Sequence, residues 1–499
     1  MRISPLHATD FYKTGHIRQY PPGTTLVYSN FTCRSDRLAP VLPDFDGKVV
    51  FFGLQGLAQW LLIDAWNDEF FHKPKAEVVD AYRRRMDLSL GAGAVDVSHV
   101  AALHDLGYLP LRIKALPEGS RVPMRIPLLT VVNTHPDFFW VTNYIETQLS
   151  AELWKATTAA TIAYEYRRLF SRFAERTGAD KAMLPWLGHD FSARGMSGIS
   201  DGATSGAGHL LSFRGTDTIA AIDYLEATYP DAEPTLIGGS VPATEHSVMC
   251  MGGEDDEIGT FRRLVTETYP SGIVSIVSDT WDFWRVVTEY AAALKPEILA
   301  RTPDALGNAK VVFRPDSGDP VRIIAGDPEA AQGTPEHKGA VECLWDIFGG
   351  TTTPQGFRVL HPRVGLIYGD SITLDRATRI LDALEAKGFA SGNLVFGIGS
   401  FTYQHVTRDS FGTAIKATFG VVGGQDRVLF KAPKTDNGIK NSARGLLRVE
   451  REGGAFVLHE MQTREEEDRG LLQTVFEDGR MVRLEGLTAV RQRLWGGTG

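Results

Sequence analysis

His189–Thr218 reads HDFSARGMSGISDGATSGAGHLLSFRGTDT. Short apolar pieces feed into it, and polar groups crowd where they stop. It offers one aromatic face (Phe191), two guanidiniums (Arg194, Arg214), one carboxylate (Asp217) and several glycines. A flat, neutral ring held beside a polyphosphate needs that mixture. Arg and Asp in glycine-rich loops are ordinarily solvated turn residues. The stretch gains its weight from similar strand-end clusters that recur six more times downstream.

From about residue 185, apolar runs end in polar or glycine clusters, and helix-like segments such as TIAAIDYLEATY and TLDRATRILDALEAKG lie between them. The runs are PWLGHDFSARG, LLSFRGTD, PTLIGGSVPATEHS, IVSIVSDTWD, KVVFRPDSGD, VGLIYGDS, LVFGIGS and IKATFGVVGG. Eight strand-like pieces alternating with helices predict an α/β chain with a (β/α)8-type barrel; a doubly wound open sheet is the alternative. Either fold places ligands at the carboxyl ends of the strands, where the polar clusters sit.

The flanks read differently. LVYSNF alternates as a strand after the Pro21-Pro22-Gly23 turn. Residues 54–86 predict two helices, and 111–133 predict short strands around a Pro-Glu-Gly turn. DFFWVTNYIETQLSAELW and AATIAYEYRRLFSRFAERTG predict two long amphipathic helices whose aromatic stripes are core. Beyond about residue 425 the pattern is β-like again, and REEEDRG reads as a solvated loop. Residues 1–180 and 425–499 are expected to form an α+β domain around a barrel domain of residues 181–424.

At 499 residues the chain is long enough for two domains or one elaborated domain. Its 52 Lys and Arg against 61 Asp and Glu leave 52 − 61 = −9. This argues against general nucleic-acid binding but leaves room for a local basic pocket. Cys33, Cys250 and Cys343 are widely spaced with no CxxC, which predicts a reduced, cytoplasmic chain. The start, MRISPLHATDFYK, has no apolar signal core, and LAQWLLIDAW is too short to span a bilayer, so no membrane role is expected.

The clusters carry the chemistry. In KVVFRPDSGDP, Arg314 suits bidentate phosphate binding. Asp316 suits ribose hydroxyls or a metal ion, and a plain Arg314–Asp316 salt bridge is the structural alternative. Gly369 and Asp370 end one strand, and Gly397 and Gly399 end the next. Glycines there let backbone N–H groups approach a phosphate closely. VPATEHS supplies Glu245 beside His246. IVSIVSDTWD supplies Ser275, Asp279 and Asp282, and Asp279 suits a ribose hydroxyl or Mg2+. HExxH and a GxxxxGK[ST] loop are absent. The inventory favours a phosphorylated sugar and a planar ring.

ATDFYK with QYPP, FFGLQ, HDFSARG, FRGTDT, VPATEHS, VSDTWD, RPDSG, YGDS and the TRD of HVTRDSFG fall in an order that resembles the nicotinamide phosphoribosyltransferase family, over nearly the whole chain. The resemblance implies a homodimer with a barrel of the type II phosphoribosyltransferase kind. It implies transfer of phosphoribose from phosphoribosyl pyrophosphate to nicotinamide with Mg2+, giving nicotinamide mononucleotide and pyrophosphate in NAD salvage. Phe191 would stack one face of the nicotinamide ring; Tyr12 of the other subunit would cover the second face, with Asp10 nearby. Asp217 would accept from the carboxamide. Arg194 and Arg314 would bind phosphate or pyrophosphate, Asp316 the ribose, and Gly369, Asp370 and Gly399 the 5′-phosphate region. Arg34, Arg408, Lys416 and Lys431 resemble basic residues that reach the pyrophosphate across the dimer. His246 resembles a histidine that ATP phosphorylates, with ATP as activating co-substrate. Ser400, Phe401 and Ala193 depart from some relatives.

Asp217 also offers a selection rule. A carboxylate accepts from an amide N–H but repels the carboxylate of nicotinate, and such mispairing is worth on the order of 10⁴-fold. Nicotinate phosphoribosyl transfer is therefore the alternative activity. A barrel lyase or aldolase would need a catalytic lysine or metal triad, for which the sequence offers no candidate. A non-catalytic scaffold is at odds with the presence of His246, Asp316 and Arg314.

Overall fold

Strand-forming residues gather into two large sheets of opposite character. A computed structural model describes residues 3–432 and 441–496. The first sheet is antiparallel, with seven strands in the order Gln425–Val428, Ala414–Val422, Thr24–Thr32, Pro127–Asn133, Leu111–Ala115, Gln473–Glu477 and Arg480–Met481. Its third strand, Thr24–Thr32, is covered on both faces. Alternation sends Phe31 into a core with Trp66 and Phe70, and Tyr28 into another with Phe419 and Leu447.

The second sheet is parallel and carries the polar clusters. Its strands are β1 (Gly188–Asp190), β2 (Gly215–Thr216), β3 (Gly272–Val277), β4 (Ala309–Arg314), β5 (Val364–Tyr368) and β6 (Leu394–Ile398), in the order β2-β1-β6-β5-β4-β3. In β4, Ala309, Val311 and Phe313 are buried while Lys310, Val312 and Arg314 are less so. The same alternation thus fills the core and brings Arg314 to the carboxyl end.

The α/β class and the parallel sheet agree with the pattern of the sequence; a closed ring of eight strands does not form. PTLIGGSVPATEHS forms no strand and meets the two sheet edges through single bridges, Gly215 to Gly239 and Ala243 to Ser275. IKATFGVVGG, expected as the eighth strand, pairs antiparallel with Thr24–Thr32 in the other sheet. The Gly423-Gly424 turn, with φ of +57° and +75°, returns it directly into Gln425–Val428. Such a two-residue turn joins antiparallel strands and cannot serve a parallel crossover.

Two further expectations change. The pair of long helices expected around residues 137–178 includes one continuous helix, α1 (Glu146–Thr177), of 32 residues, roughly 48 Å long. It ends where Gly178 adopts φ of +69°. Leu149 and Leu153 enter the core of the antiparallel sheet, while Ile162, Tyr166 and Phe170 enter that of the parallel sheet. The Phe170 ring stacks 4.9 Å from Phe396 of β6. REEEDRG is not a solvated loop: Arg464–Asp468 is a short helix begun by a Thr463/Glu466 capping box. Its Glu467 is buried, with Oε2 2.6 Å from Lys114 Nζ.

Buried Glu118 ties the start of the helical stretch at Leu54 to the parallel half of the molecule. Its carboxylate accepts from the N–H groups of Gly53 (2.6 Å) and Gln55 (2.7 Å) and from the Tyr229 hydroxyl (2.9 Å). Burial pushes this carboxyl up to about 7 against those three donors. No helix among the described residues is long and apolar enough to cross a membrane.

Candidate active site

The carboxyl ends of the parallel strands open onto a cleft of about 860 Å3. Eight residues singled out from the sequence line it: Phe191, Arg194, Asp217, Arg314, Asp316, Gly369, Asp370 and Gly399. Clefts of this size hold cofactor-sized ligands.

Phe191 leaves β1 with its N–H donated to Ile398 O at 3.0 Å, across to β6. Its ring fills the space beside two glycines. A Cβ at Gly369 would lie 2.9 Å from the ring, and one at Gly397 would lie 2.4 Å from it. The ends of β5 and β6 therefore lack side chains so that the Phe191 ring can pack against them. This is a role for Gly397 different from the phosphate approach expected of it.

Asp217 projects from the end of β2. Its Oδ1 accepts from the Ser240 hydroxyl at 2.6 Å and lies 2.9 Å from His189 Nε2. Burial pushes the carboxyl up, but hydrogen bonding and charge from His189, the Ser240 bond and the Arg314 guanidinium outweigh it and hold it below the usual carboxylate range. Asp217 is thus an anion at neutral pH.

Two buried residues under this loop were not singled out from the sequence. Asp190 accepts from the Ser192 N–H (2.9 Å) and the Thr218 hydroxyl (2.7 Å), and its carbonyl accepts from the Asp217 N–H (3.0 Å). Burial pushes His209 down to about 4, so it is neutral. It lies 2.7 Å from the Tyr403 hydroxyl and 3.1 Å from Gly215 O. Both sit inside the stretch quoted at the outset, where a buried Asp and a loop Asp look alike.

On the opposite wall, Arg314 donates to Thr244 O, and the salt bridge with Asp316 expected as the alternative does not form. Burial lowers the Arg314 guanidinium, opposed by Asp316, Asp217 and Asp279. Asp279, only 6% exposed, is fully engaged. Its Oδ1 lies 3.2 Å from His246 Nε2, and its Oδ2 accepts from the Asp316 N–H (2.9 Å) and the Ser317 hydroxyl (2.6 Å). Through these contacts it orients His246 and the Asp316 turn. Ser275 is buried in β3 with a hydroxyl that has no partner.

Asp316 is pushed up by burial, relieved by Arg314 and then raised again by the like charge of Asp279, with His246 and Asp370 as smaller opposing influences. A cation at this point would relieve that crowding, so the donor set fits Mg2+. This ion commonly takes one or two carboxylates and completes its shell with phosphate and water. The group of three close ligands among the described residues, Glu450, Glu452 and His459, lies on the separate hairpin of residues 446–462.

At the rim, Gly195 packs on Ser400, where a Cβ would meet the Ser400 hydroxyl. Phe401 stays 43% exposed beside the cleft. The remaining candidates do not reach this cleft within one chain. Asp10 accepts from the Thr147 hydroxyl at 2.7 Å, and Tyr12 is 61% exposed. Lys416 is lowered by burial, resisted by Glu146, and lowered further by Arg34, Lys431 and Arg408. These four cations thus share one neighbourhood with Glu146, which Lys13 meets at 2.6 Å, next to Tyr12 in the chain.

Comparison with known proteins matches this chain to named relatives. Residues 187–480 match the model of the nicotinate phosphoribosyltransferase (NAPRTase) family, and residues 4–75 match that of the nicotinamide phosphoribosyltransferase N-terminal domain. A nicotinamide phosphoribosyltransferase from Acinetobacter baylyi is 64% identical over 99% of this chain and 97% of its own. One from Xanthomonas campestris pv. campestris is 34% identical over 97% and 96%. Among solved structures, nicotinate-nucleotide pyrophosphorylase from Pyrococcus furiosus superposes with a TM-score of 0.57 at 13% identity, covering 99% of this chain and 95% of that one. Human nicotinic acid phosphoribosyltransferase gives 0.53 at 16% identity, covering 98% and 93%. At these identities the structural likeness is one of fold.

Proposed function

The chain belongs to the nicotinamide phosphoribosyltransferase family, and from that premise we infer how its cleft carries out the transfer. The enzyme moves the phosphoribosyl group of phosphoribosyl pyrophosphate onto nicotinamide, yielding nicotinamide mononucleotide and pyrophosphate, a step of NAD salvage. The observation that carries the base assignment is the ionised Asp217 carboxylate in the same cleft as the Phe191 ring. The ring supplies a stacking face and the carboxylate accepts from the carboxamide. A nicotinate carboxylate there would meet like charge, so the nicotinate reading is not favoured.

The nucleophile is the pyridine nitrogen, which needs no strong base. Catalysis then rests on positioning and on charge. Arg194 and Arg314 hold phosphate oxygens, Asp316 meets the ribose, and Gly369, Asp370 and Gly399 border the 5′-phosphate. Asp316 with Asp279 beside it would hold Mg2+, whose chemistry when bound is to neutralise the departing pyrophosphate.

Three finer assignments complete the proposal. The enzyme is a homodimer with shared sites. The gathering of Tyr12, Arg34, Arg408, Lys416 and Lys431 away from their own chain's cleft supports a role in the other subunit's site. ATP activates the enzyme by phosphorylating His246, supported by the exposed imidazole held on Asp279. The enzyme works in the cytoplasm, in keeping with free thiols at Cys33, Cys250 and Cys343. The test is product formation from phosphoribosyl pyrophosphate and Mg2+, with nicotinamide and nicotinate in parallel, with and without ATP. Nicotinamide mononucleotide as the dominant product, raised by ATP, is expected. Preference for nicotinate would remove Asp217 from the ring substituent, and indifference to ATP would remove the phosphohistidine.

A further inference from the structure

Three separate chain segments converge on one oxygen atom. His189 lies in β1, Asp217 just beyond β2, and Ser240 next to the single bridge that joins Gly239 to Gly215. His189 pairs in register with Gly215, so its imidazole rises beside the turn that carries Asp217. Its side chain is 12% exposed. A Cβ at Gly215 would sit 2.7 Å from His189 Nδ1, so this glycine lets the ring pack against the β2 backbone. From there Nε2 reaches Asp217 Oδ1 at 2.9 Å, while the Ser240 hydroxyl reaches the same Oδ1 at 2.6 Å. Among the described residues no hydrogen bond goes to Oδ2.

We propose that His189 and Ser240 are positioning residues for base selection: by binding Oδ1 together, they fix the Asp217 carboxylate and leave Oδ2 as the acceptor offered to the carboxamide. This rests on the reading that Asp217 faces the ring substituent. The imidazole proton must be on Nε2, because Oδ1 of a carboxylate only accepts. A carboxylate held by two hydrogen bonds at one oxygen presents its other oxygen at a fixed place. It matches one N–H of an amide and opposes an oxygen anion placed at the same point. Without the two donors the carboxylate rotates freely and takes up a proton more readily. Its proton could then meet nicotinate, and the discrimination falls.

The experiment measures kcat and KM for nicotinamide and for nicotinate in the intact enzyme, for the wild type, His189→Leu, His189→Gln, Ser240→Ala and Asp217→Asn. His189→Leu is expected to raise the nicotinamide KM about tenfold, the worth of one charge-assisted hydrogen bond, with kcat nearly unchanged. The ratio of kcat/KM between the two bases should fall about as much or more. His189→Gln keeps an N–H donor at that reach and should restore most of the ratio. Ser240→Ala, a small change on the surface loop, should lower the ratio in the same direction. Thermal melting of each variant identifies any that has merely lost its fold. If His189→Leu is destabilised, Ser240→Ala and His189→Gln still decide. Equal losses for both bases, with the ratio unmoved, overturn the proposal. Asp217→Asn separates the two levels. An unmoved ratio there defeats the reading of Asp217 itself, whereas a moved ratio there with none in the His189 and Ser240 variants defeats only the positioning role.

Discussion

Asp279 Oδ1 lies 3.2 Å from His246 Nε2, while Oδ2 of the same carboxylate accepts from the Asp316 N–H and the Ser317 hydroxyl. One buried acid thus joins the imidazole proposed to carry phosphate to the turn that carries Asp316. Asp279→Asn keeps the shape but replaces one accepting oxygen with a donor. It should reduce ATP stimulation by about tenfold, in line with loss of a charge-assisted bond, and leave the nicotinamide KM within about twofold. Steady-state rates with and without ATP check this; an unaltered stimulation would mean His246 needs no orienting partner.

Phe191→Ala removes the stacking face. The nicotinamide KM should rise by about tenfold or more, given 0.5–1.5 kcal/mol for an aromatic pair beyond area burial, while circular dichroism stays native. Gly397→Ala tests the same geometry from beneath, because its Cβ would lie 2.4 Å from the Phe191 ring. Both variants should show the defect in KM; a normal KM in Gly397→Ala shows that the ring has room to move aside.

A shared site predicts complementation. Tyr12→Ala and Phe191→Ala homodimers should each be impaired. Mixing them under subunit exchange should form heterodimers with one intact and one doubly damaged site. Activity then rises above both parents, toward about a quarter of wild type at equal mixing, since half the dimers carry one good site of two. Activity that stays at the average of the parents places Tyr12 and Phe191 outside a common site.

Glu118 sets a stability slope. Its carboxyl, ordinarily 4.5, stands at about 7 in the folded chain because it is buried. A raised carboxyl means the folded state keeps the proton longer, so stability is greatest below about 4.5 and falls as pH rises to about 7. The full contribution is about 3 kcal/mol. Denaturant titrations between pH 5 and 8 should show a steeper decline for the wild type than for Glu118→Gln. Parallel slopes would show that the three donors already hold Glu118 ionised.

The strand-end clusters were legible in the sequence because each joins an apolar run to residues that suit phosphate, ribose or a planar ring. Phe191, Arg194, Asp217, Arg314, Asp316, Gly369, Asp370 and Gly399 accordingly meet in one cleft. Strand pairing was less legible. IKATFGVVGG has the same apolar content whichever sheet receives it, and only the Gly423-Gly424 turn distinguishes the outcome. The supporting residues His189, Asp190, His209 and Ser240 stayed hidden for a related reason. Their importance comes from partners brought close by folding, such as Ser240 to Asp217 across 23 positions, and nothing local marks them. Glu467 hid within a run of charges until burial paired it with Lys114.

Helix α1 has a consequence for dissection of the molecule. Because its first half completes one core and its second half the other, no cut of the chain yields two self-sufficient fragments. A fragment starting after residue 180 would lose Ile162, Tyr166 and Phe170 from beneath the parallel sheet and expose Phe396 and Phe213 to water. A fragment ending there would carry those same apolar side chains unpaired. The two halves are therefore bound to a common fate: a substitution midway along the helix damages substrate site and flanking sheet together, and loss of either one is loss of both.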